Sequence, residues 1–209
     1  MRKLRIVGDG QRDAATIPAL LRGLLKAEFA SRTTPWPRLH RGEKKAHSFH
    51  LKGYGLKLWY VLREARTDGH DGVVATVDAD KDRAREKLTQ LKQAREADRV
   101  RWAPLPTALG EARPHNEAWL LDDPVGVREG LALAKDHLIP NVREVSSPKD
   151  ELAGLQQASP RSDERPLDVW AGIAACVDER RCNHKTETGF EAFAREVRAE
   201  LGPLFAAAG

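Results

Sequence analysis

One segment limits the folds open to this chain more than any other. Gly72-Val73-Val74-Ala75-Thr76-Val77 is a short β-branched run of the kind that forms a buried strand, and it ends in Asp78-Ala79-Asp80-Lys81-Asp82. Three carboxylates therefore stand where a strand stops and a helix is about to begin. Side chains two apart on a strand share a face, so Asp78 and Asp80 are able to converge on one point. Hard divalent cations such as Mg²⁺ take oxygen ligands of this type. Open α/β folds also place their sites at the carboxyl ends of parallel strands. An EF-hand loop does not fit, because its glycine position holds Arg83 and its final acidic position holds Thr89.

The flanking sequence supports strand–helix alternation. Residues 3–8 read as a first strand, broken by Asp9-Gly10. Asp13 is expected to cap a helix from 14 to about 29, with Ile17, Leu20, Leu21, Leu24 and Leu25 on one face. Residues 31–53 read as a basic loop. A helix over 55–66 is expected to bury Leu56, Trp59, Tyr60 and Leu62 in part. The strand at 73–77 leads to a charged helix over 83–98, resting on Leu88 and Leu91, and then to a further strand over 100–105. Asn116-Glu117-Ala118-Trp119-Leu120-Leu121 reads as a short helix with Trp119, Leu120 and Leu121 in the core. The rest is helical, at about 125–136, 148–157, 166–178 and 187–205, with Ser147 capping and Pro148 opening the second of these. The expected fold is α/β: a Rossmann-like parallel sheet with helices on both faces and a helical C-terminal part. The first unit spans 1–125 with a basic insertion at about 31–53, and residues 126–209 form a helical region packed on it.

Net charge is only +4, but its distribution is uneven. Nine Lys/Arg lie between Arg32 and Arg66 against Glu43 and Glu64, a local excess of seven, with His40, His47 and His50 in the same stretch. Such a patch suits a phosphate backbone. Arg41, Lys44, Lys45, Lys52 and Lys57 are the candidate nucleic-acid contacts, with Trp36, Phe49, Tyr54 and Trp59 as stacking groups where exposed. Two cysteines, Cys176 and Cys182, are too few for a secreted disulfide scaffold. With His184 they offer only three metal ligands, and they read as buried or semi-buried thiols. The chain has no apolar leader or long apolar run, so the expected location is the cytoplasm, away from membranes.

A second acidic cluster, Asp9-Gly10-Gln11-Arg12-Asp13, follows the first strand. Together with Asp78-Ala79-Asp80 it resembles the TOPRIM domain of topoisomerases, primases, recombination mediators and overcoming-lysogenization-type nucleases. The first motif of that domain is Glu-Gly-x-x-Asp, matched by Asp9, Gly10 and Asp13 with Asp in place of Glu. The second is Asp-x-Asp, matched by Asp78 and Asp80, with Asp82 as the third acidic position of some members. More narrowly, the chain resembles the bacterial TOPRIM-like domain-of-unknown-function family 4276. That likeness rests on residues 7–13 and 77–80, on Glu117-Ala118-Trp119-Leu120-Leu121-Asp122, on Pro148-Lys149-Asp150-Glu151-Leu152, and on Cys182 followed by Gly189-Phe190-Glu191-Ala192-Phe193.

The resemblance implies a Mg²⁺- or Mn²⁺-dependent nuclease or related phosphoryl-transfer enzyme. Asp78 and Asp80 would bind the ion, with Asp82 beside them. Asp9 would bind the same or a second ion or act as acid/base, Glu117 would add a ligand, and Lys149 would meet phosphate or transition-state charge. Asp13 would cap the first helix or orient a water. DNA is the expected substrate in preference to RNA, and a role in phage defence beside an ATPase partner is implied. The chain itself has no phosphate-binding Gly-x-x-x-x-Gly-Lys loop. Asp at position 9 reaches about 1.5 Å less far than Glu. Neither tyrosine, Tyr54 or Tyr60, stands out as a topoisomerase nucleophile. Two rivals remain: a non-catalytic binding or effector subunit of an ATPase complex, and a nucleotide-sugar transferase using Asp-x-Asp. The second leaves the Asp9 cluster and the basic stretch unexplained.

Overall fold

A computed structural model describes residues 1–39, 50–79 and 84–206. Four parallel strands form its sheet: β1 (Lys3–Gly8), β2 (Ala30–Pro35), β3 (Gly72–Asp78) and β4 (Thr107–Ala112), in the spatial order β2-β1-β3-β4. Parallel pairing requires crossovers, and helices supply them: α1 (Gln11–Leu25) between β1 and β2, α2 (Gly53–Thr67) before β3, and α3 (Ala84–Arg101) before β4. The fold is α/β and Rossmann-like, with helices on both faces.

The period-2 alternation of the strands sorts the core into two layers. Leu4, Ile6, Val74, Ala108 and Ala112 face α1, meeting Ile17, Leu20 and Leu21. Val7, Val73, Ala75, Val77 and Leu109 face the other way, onto Leu58, Val61 and Leu62 of α2 and Leu91 and Ala94 of α3. The chain beyond β4 is helical: α4 (Glu117–Leu121), α5 (Pro124–Leu131), α6 (Pro148–Gln157), α7 (Pro166–Cys176), α8 (Lys185–Thr188), α9 (Phe190–Glu200) and α10 (Gly202–Ala206). These helices build onto the α1 side, where Trp119, Trp170, Phe190 and Phe193 join the core. The Ser147 side chain caps α6 with Pro148 in its first turn, as the sequence implies. No helix among the described residues is long and apolar enough to cross a membrane.

Three local expectations need correction. Residues 31–35, expected within a basic loop, belong to β2, which among the described residues is an edge strand paired to β1. Residues 100–105 are not a strand: α3 runs to Arg101, with Val100 and Trp102 on the surface, and the strand is β4 instead. Asp13 does not cap α1, which begins at Gln11 after Gly10 and ends at Leu25.

Candidate active site

The strand order reverses beside β1. The chain leaves β1 for β2 on one side and returns to β3 on the other, so the carboxyl ends of β1 and β3 flank the topological switch point. Asp9 follows β1 and Asp78 closes β3. The Asp9 carboxylate spans the gap, its Oδ2 accepting the Asp78 N–H at 2.7 Å and its Oδ1 the Tyr54 hydroxyl at 2.8 Å. The short Asp side chain is thus long enough to link the two strand ends directly.

Asp13 holds the same loop from below. Its Oδ2 accepts the Asp9 N–H at 2.5 Å, and its Oδ1 accepts Asn116 Nδ2 at 2.5 Å, while the same Asn116 amide reaches Thr16 Oγ1 at 3.0 Å. The carboxylate packs on Gly8, where a Cβ would lie 2.4 Å from Asp13 Oδ2. A glycine is therefore needed there for close approach rather than for an unusual backbone angle. Asn116 and Glu117 arrive on α4, which Trp119 anchors: its indole N–H donates to the Thr188 carbonyl at 2.7 Å and its ring stacks on Phe193 with centroids 4.8 Å apart.

The cluster is acidic, with Asp13 and Glu117 buried and Asp9 and Asp78 partly buried. Asp13 is 5% exposed, and burial pushes its carboxyl up to about 7; the charges of Asp78, Asp9 and Glu117 add to the shift and the Asp9 N–H opposes it. Asp78 is raised to about 6, first by burial and then by Asp9, while His115 opposes. Basic side chains rim the carboxylates. His115 Nδ1 lies 3.2 Å from Asp78 Oδ2. Lys87 Nζ donates to the Asp78 carbonyl at 3.0 Å and stands 4.0 Å from Asp9 Oδ2. Arg12 donates to buried Glu117 at 3.3 Å and lies 4.5 Å over the Trp170 ring.

Of the residues expected from sequence, Asp9, Asp13, Asp78 and Glu117 come together. Asp80 and Asp82 lie outside the described residues, as do Arg41, Lys44 and Lys45. Lys149 is exposed in the first turn of α6, and no hydrogen bond or ion pair among the described residues joins it to the cluster. Lys52 is exposed at the start of α2, and Lys57 Nζ sits 4.7 Å over the Tyr54 ring. Trp36 and Trp59 are buried, which removes them as stacking groups; Trp36 instead donates to the Thr76 carbonyl at 3.0 Å. Phe49 lies outside the described residues. Cys182 is buried, and burial raises its thiol pKa.

Sequence reasoning missed Lys87, His115, and the roles of Tyr54 and Arg12 beside the cluster. His115-Asn116-Glu117 was a legible cluster of polar residues before an apolar run. Lys87 lies on the helix that follows Asp-x-Asp, but nothing local marks it or Tyr54. Among the described residues no three His, Cys, Asp or Glu side chains are grouped so as to hold a metal ion. The nearby side chains offer carboxylate oxygens, the ligand type a hard cation takes, and one imidazole nitrogen, that of His115. Each Asp9 oxygen keeps a lone pair beyond the hydrogen bond described above. No family model, curated protein or solved structure matches this chain.

Proposed function

We propose that this chain is a TOPRIM-like, Mg²⁺- or Mn²⁺-dependent nuclease or related phosphoryl-transfer enzyme, acting on DNA in preference to RNA. In this reading it works in the bacterial cytoplasm beside an ATPase, in defence against phage. The observation that carries the proposal is the Asp9–Asp78 bridge at 2.7 Å across the switch point. It joins two acidic motifs 69 residues apart in sequence at the sheet edge where α/β sites form.

Asp9 and Asp78 would hold the ion, with Asp80, Asp82 and Glu117 as further ligands. Once bound, the ion supplies charge neutralisation at a phosphate and an activated water. The remaining chemistry belongs to the chain. Tyr54 fixes one Asp9 oxygen. Asp13 and Asn116 hold the loop that carries Asp9. His115, half exposed beside Asp78, is placed to accept or return a proton at its imidazole. Lys87 directs an ammonium toward developing negative charge.

A second reading, a non-catalytic binding or effector subunit, is favoured by the hydrogen bonds that already engage both Asp9 oxygens. Plasmid, linear and single-stranded DNA incubated with Mn²⁺, Mg²⁺ or EDTA separates the two. The nuclease reading predicts metal-dependent cleavage by the wild type that disappears in Asp9→Asn and Asp78→Asn. Cleavage that persists in both variants, or its absence under every condition, favours the second.

A further inference from the structure

A cleft of about 1190 Å³ opens beside the acidic cluster, between β2 with the segment after it and α2, with Asp9 at one end. Its volume exceeds that of a typical small-ligand site. Its charged lining is four cations, Arg5, Arg38, Lys57 and Arg63, against three carboxylates, Asp9, Glu64 and Asp68. The carboxylates that face them already have partners. Glu64 accepts from Arg5 at 2.8 Å, Asp68 from Arg32 at 2.7 Å, and Asp9 from Tyr54 and Asp78. Arg38, Lys57 and Arg63 form no ion pair with any carboxylate among the described residues; Lys57 and Arg63 instead lie over the Tyr54 and Trp59 rings at 4.7 and 4.8 Å.

Arg5 is the unusual member. It points from the middle of β1 to the α2 side of the sheet and is 4% exposed. Its Nη2 reaches Glu64, but Nε and Nη1 are buried without any hydrogen-bond partner. A guanidinium with two unmet donors in a sheet centre is costly, and its single partner Glu64 is itself half exposed. Those two nitrogens have no exposed surface, so Arg5 acts on the cleft through its charge, which half-exposed Glu64 only partly offsets.

We infer that this cleft is a phosphate subsite for a single-stranded nucleic acid, with Arg5 at its floor and Lys57 and Arg63 on its wall. The inference rests on the nuclease reading only for its direction: a strand held here runs on to Asp9. A concave site with its guanidinium at the floor admits a flexible single strand, whereas duplex phosphates lie on a wide convex surface. Tyr54 and Tyr60 line the same cleft and give sugars and bases an apolar wall.

The test is binding in EDTA, which needs no metal and no cleavage. Fluorescein-labelled hexathymidylate is titrated with the full chain and followed by anisotropy at several salt concentrations. Inorganic phosphate and the same sequence as a blunt duplex serve as competitors. The variants are Arg5→Met, which keeps the side chain's length, and Lys57→Ala/Arg63→Ala on the helix surface. Expected are salt-dependent binding by the wild type, at least tenfold weaker binding by each variant, a shallower salt dependence in the double variant, and competition by phosphate but not by duplex. Circular dichroism melts establish that each variant is folded, and the double variant tests the subsite even where Arg5→Met is not. Wild-type affinity in the folded variants overturns the inference, as does duplex binding equal to single-strand binding. Cleavage that fails while this binding persists removes the nuclease reading and leaves the subsite standing.

Discussion

Asp78→Asn separates stability from function in a way that can be worked out from the site. The Asp78 carboxyl is raised from 3.8 to about 6, chiefly by burial and by Asp9. Between those two pH values the folded protein keeps a proton that the unfolded chain has lost. Stability therefore falls as pH rises from about 4 to 6, and above that window it stays lower by roughly 3 kcal/mol, at 1.36 kcal/mol per unit. Asn carries no charge and does not titrate. In EDTA, the stability of Asp78→Asn relative to wild type should thus grow by about 3 kcal/mol between pH 4 and pH 8. Loss of the Asp78 charge also eases the neighbouring Asp13, which adds to the gain. For a chain of this size the gain corresponds to about 6–12 °C in Tm. Differential scanning fluorimetry at pH 4, 5, 6, 7 and 8 gives the curve, while the same variant should have lost metal-dependent cleavage. A difference between the two proteins that does not change with pH, or a variant less stable than wild type at pH 8, would refute the electrostatic account of the cluster.

Other perturbations have distinct signatures. Tyr54→Phe removes the hydroxyl that holds Asp9, so cleavage should fall up to about tenfold while stability drops by only about 1 kcal/mol; an unchanged rate would contradict a positioning role. Gly8→Ala places a methyl 2.4 Å from Asp13 Oδ2 and should cost about 1–3 kcal/mol in denaturant melts. Protons compete with the ion for the Asp78 carboxyl, raised to about 6, so Mn²⁺ affinity should rise about tenfold from pH 5 to pH 8, and a flat profile would count against Asp78 as a ligand. Trp119→Ala should cost about 3–5 kcal/mol and, by loosening α4, displace Glu117 and Asn116 from the cluster.

Particular elements explain what the sequence could and could not disclose. β1 and β3 were legible because a central strand covered on both faces reads as a mainly apolar run, broken here only by buried Arg5 in β1 and Thr76 in β3. β2 was not, because Ala-Ser-Arg-Thr-Thr-Pro sits at the sheet edge and is held by backbone pairing to β1. β4 was hidden by its small residues. Gly110 is required there because Phe193 occupies the space a Cβ would take, 2.6 Å away, and that demand comes from a helix 80 residues downstream. Val100 and Trp102 misled in the opposite sense, being apolar residues left on the surface. For the site, Asp78 was readable from the strand that it ends, and Asp9 through the resemblance to the TOPRIM motif, while Asp80 and Asp82 lie outside the described residues. Tyr54 and Lys87 were not, since the crossovers that bring them to Asp9 and Asp78 leave no local mark, while His115 was visible only as part of a polar cluster before an apolar run.

The account stands on Asp9 and Asp78 forming a cation site, and calorimetric titration of Mn²⁺ onto the metal-free protein at pH 8 addresses this most directly. It predicts saturable binding by the wild type, with affinity reduced at least tenfold in both Asp9→Asn and Asp78→Asn while both variants remain folded. Absence of binding by the wild type, or wild-type affinity in both variants, would contradict it.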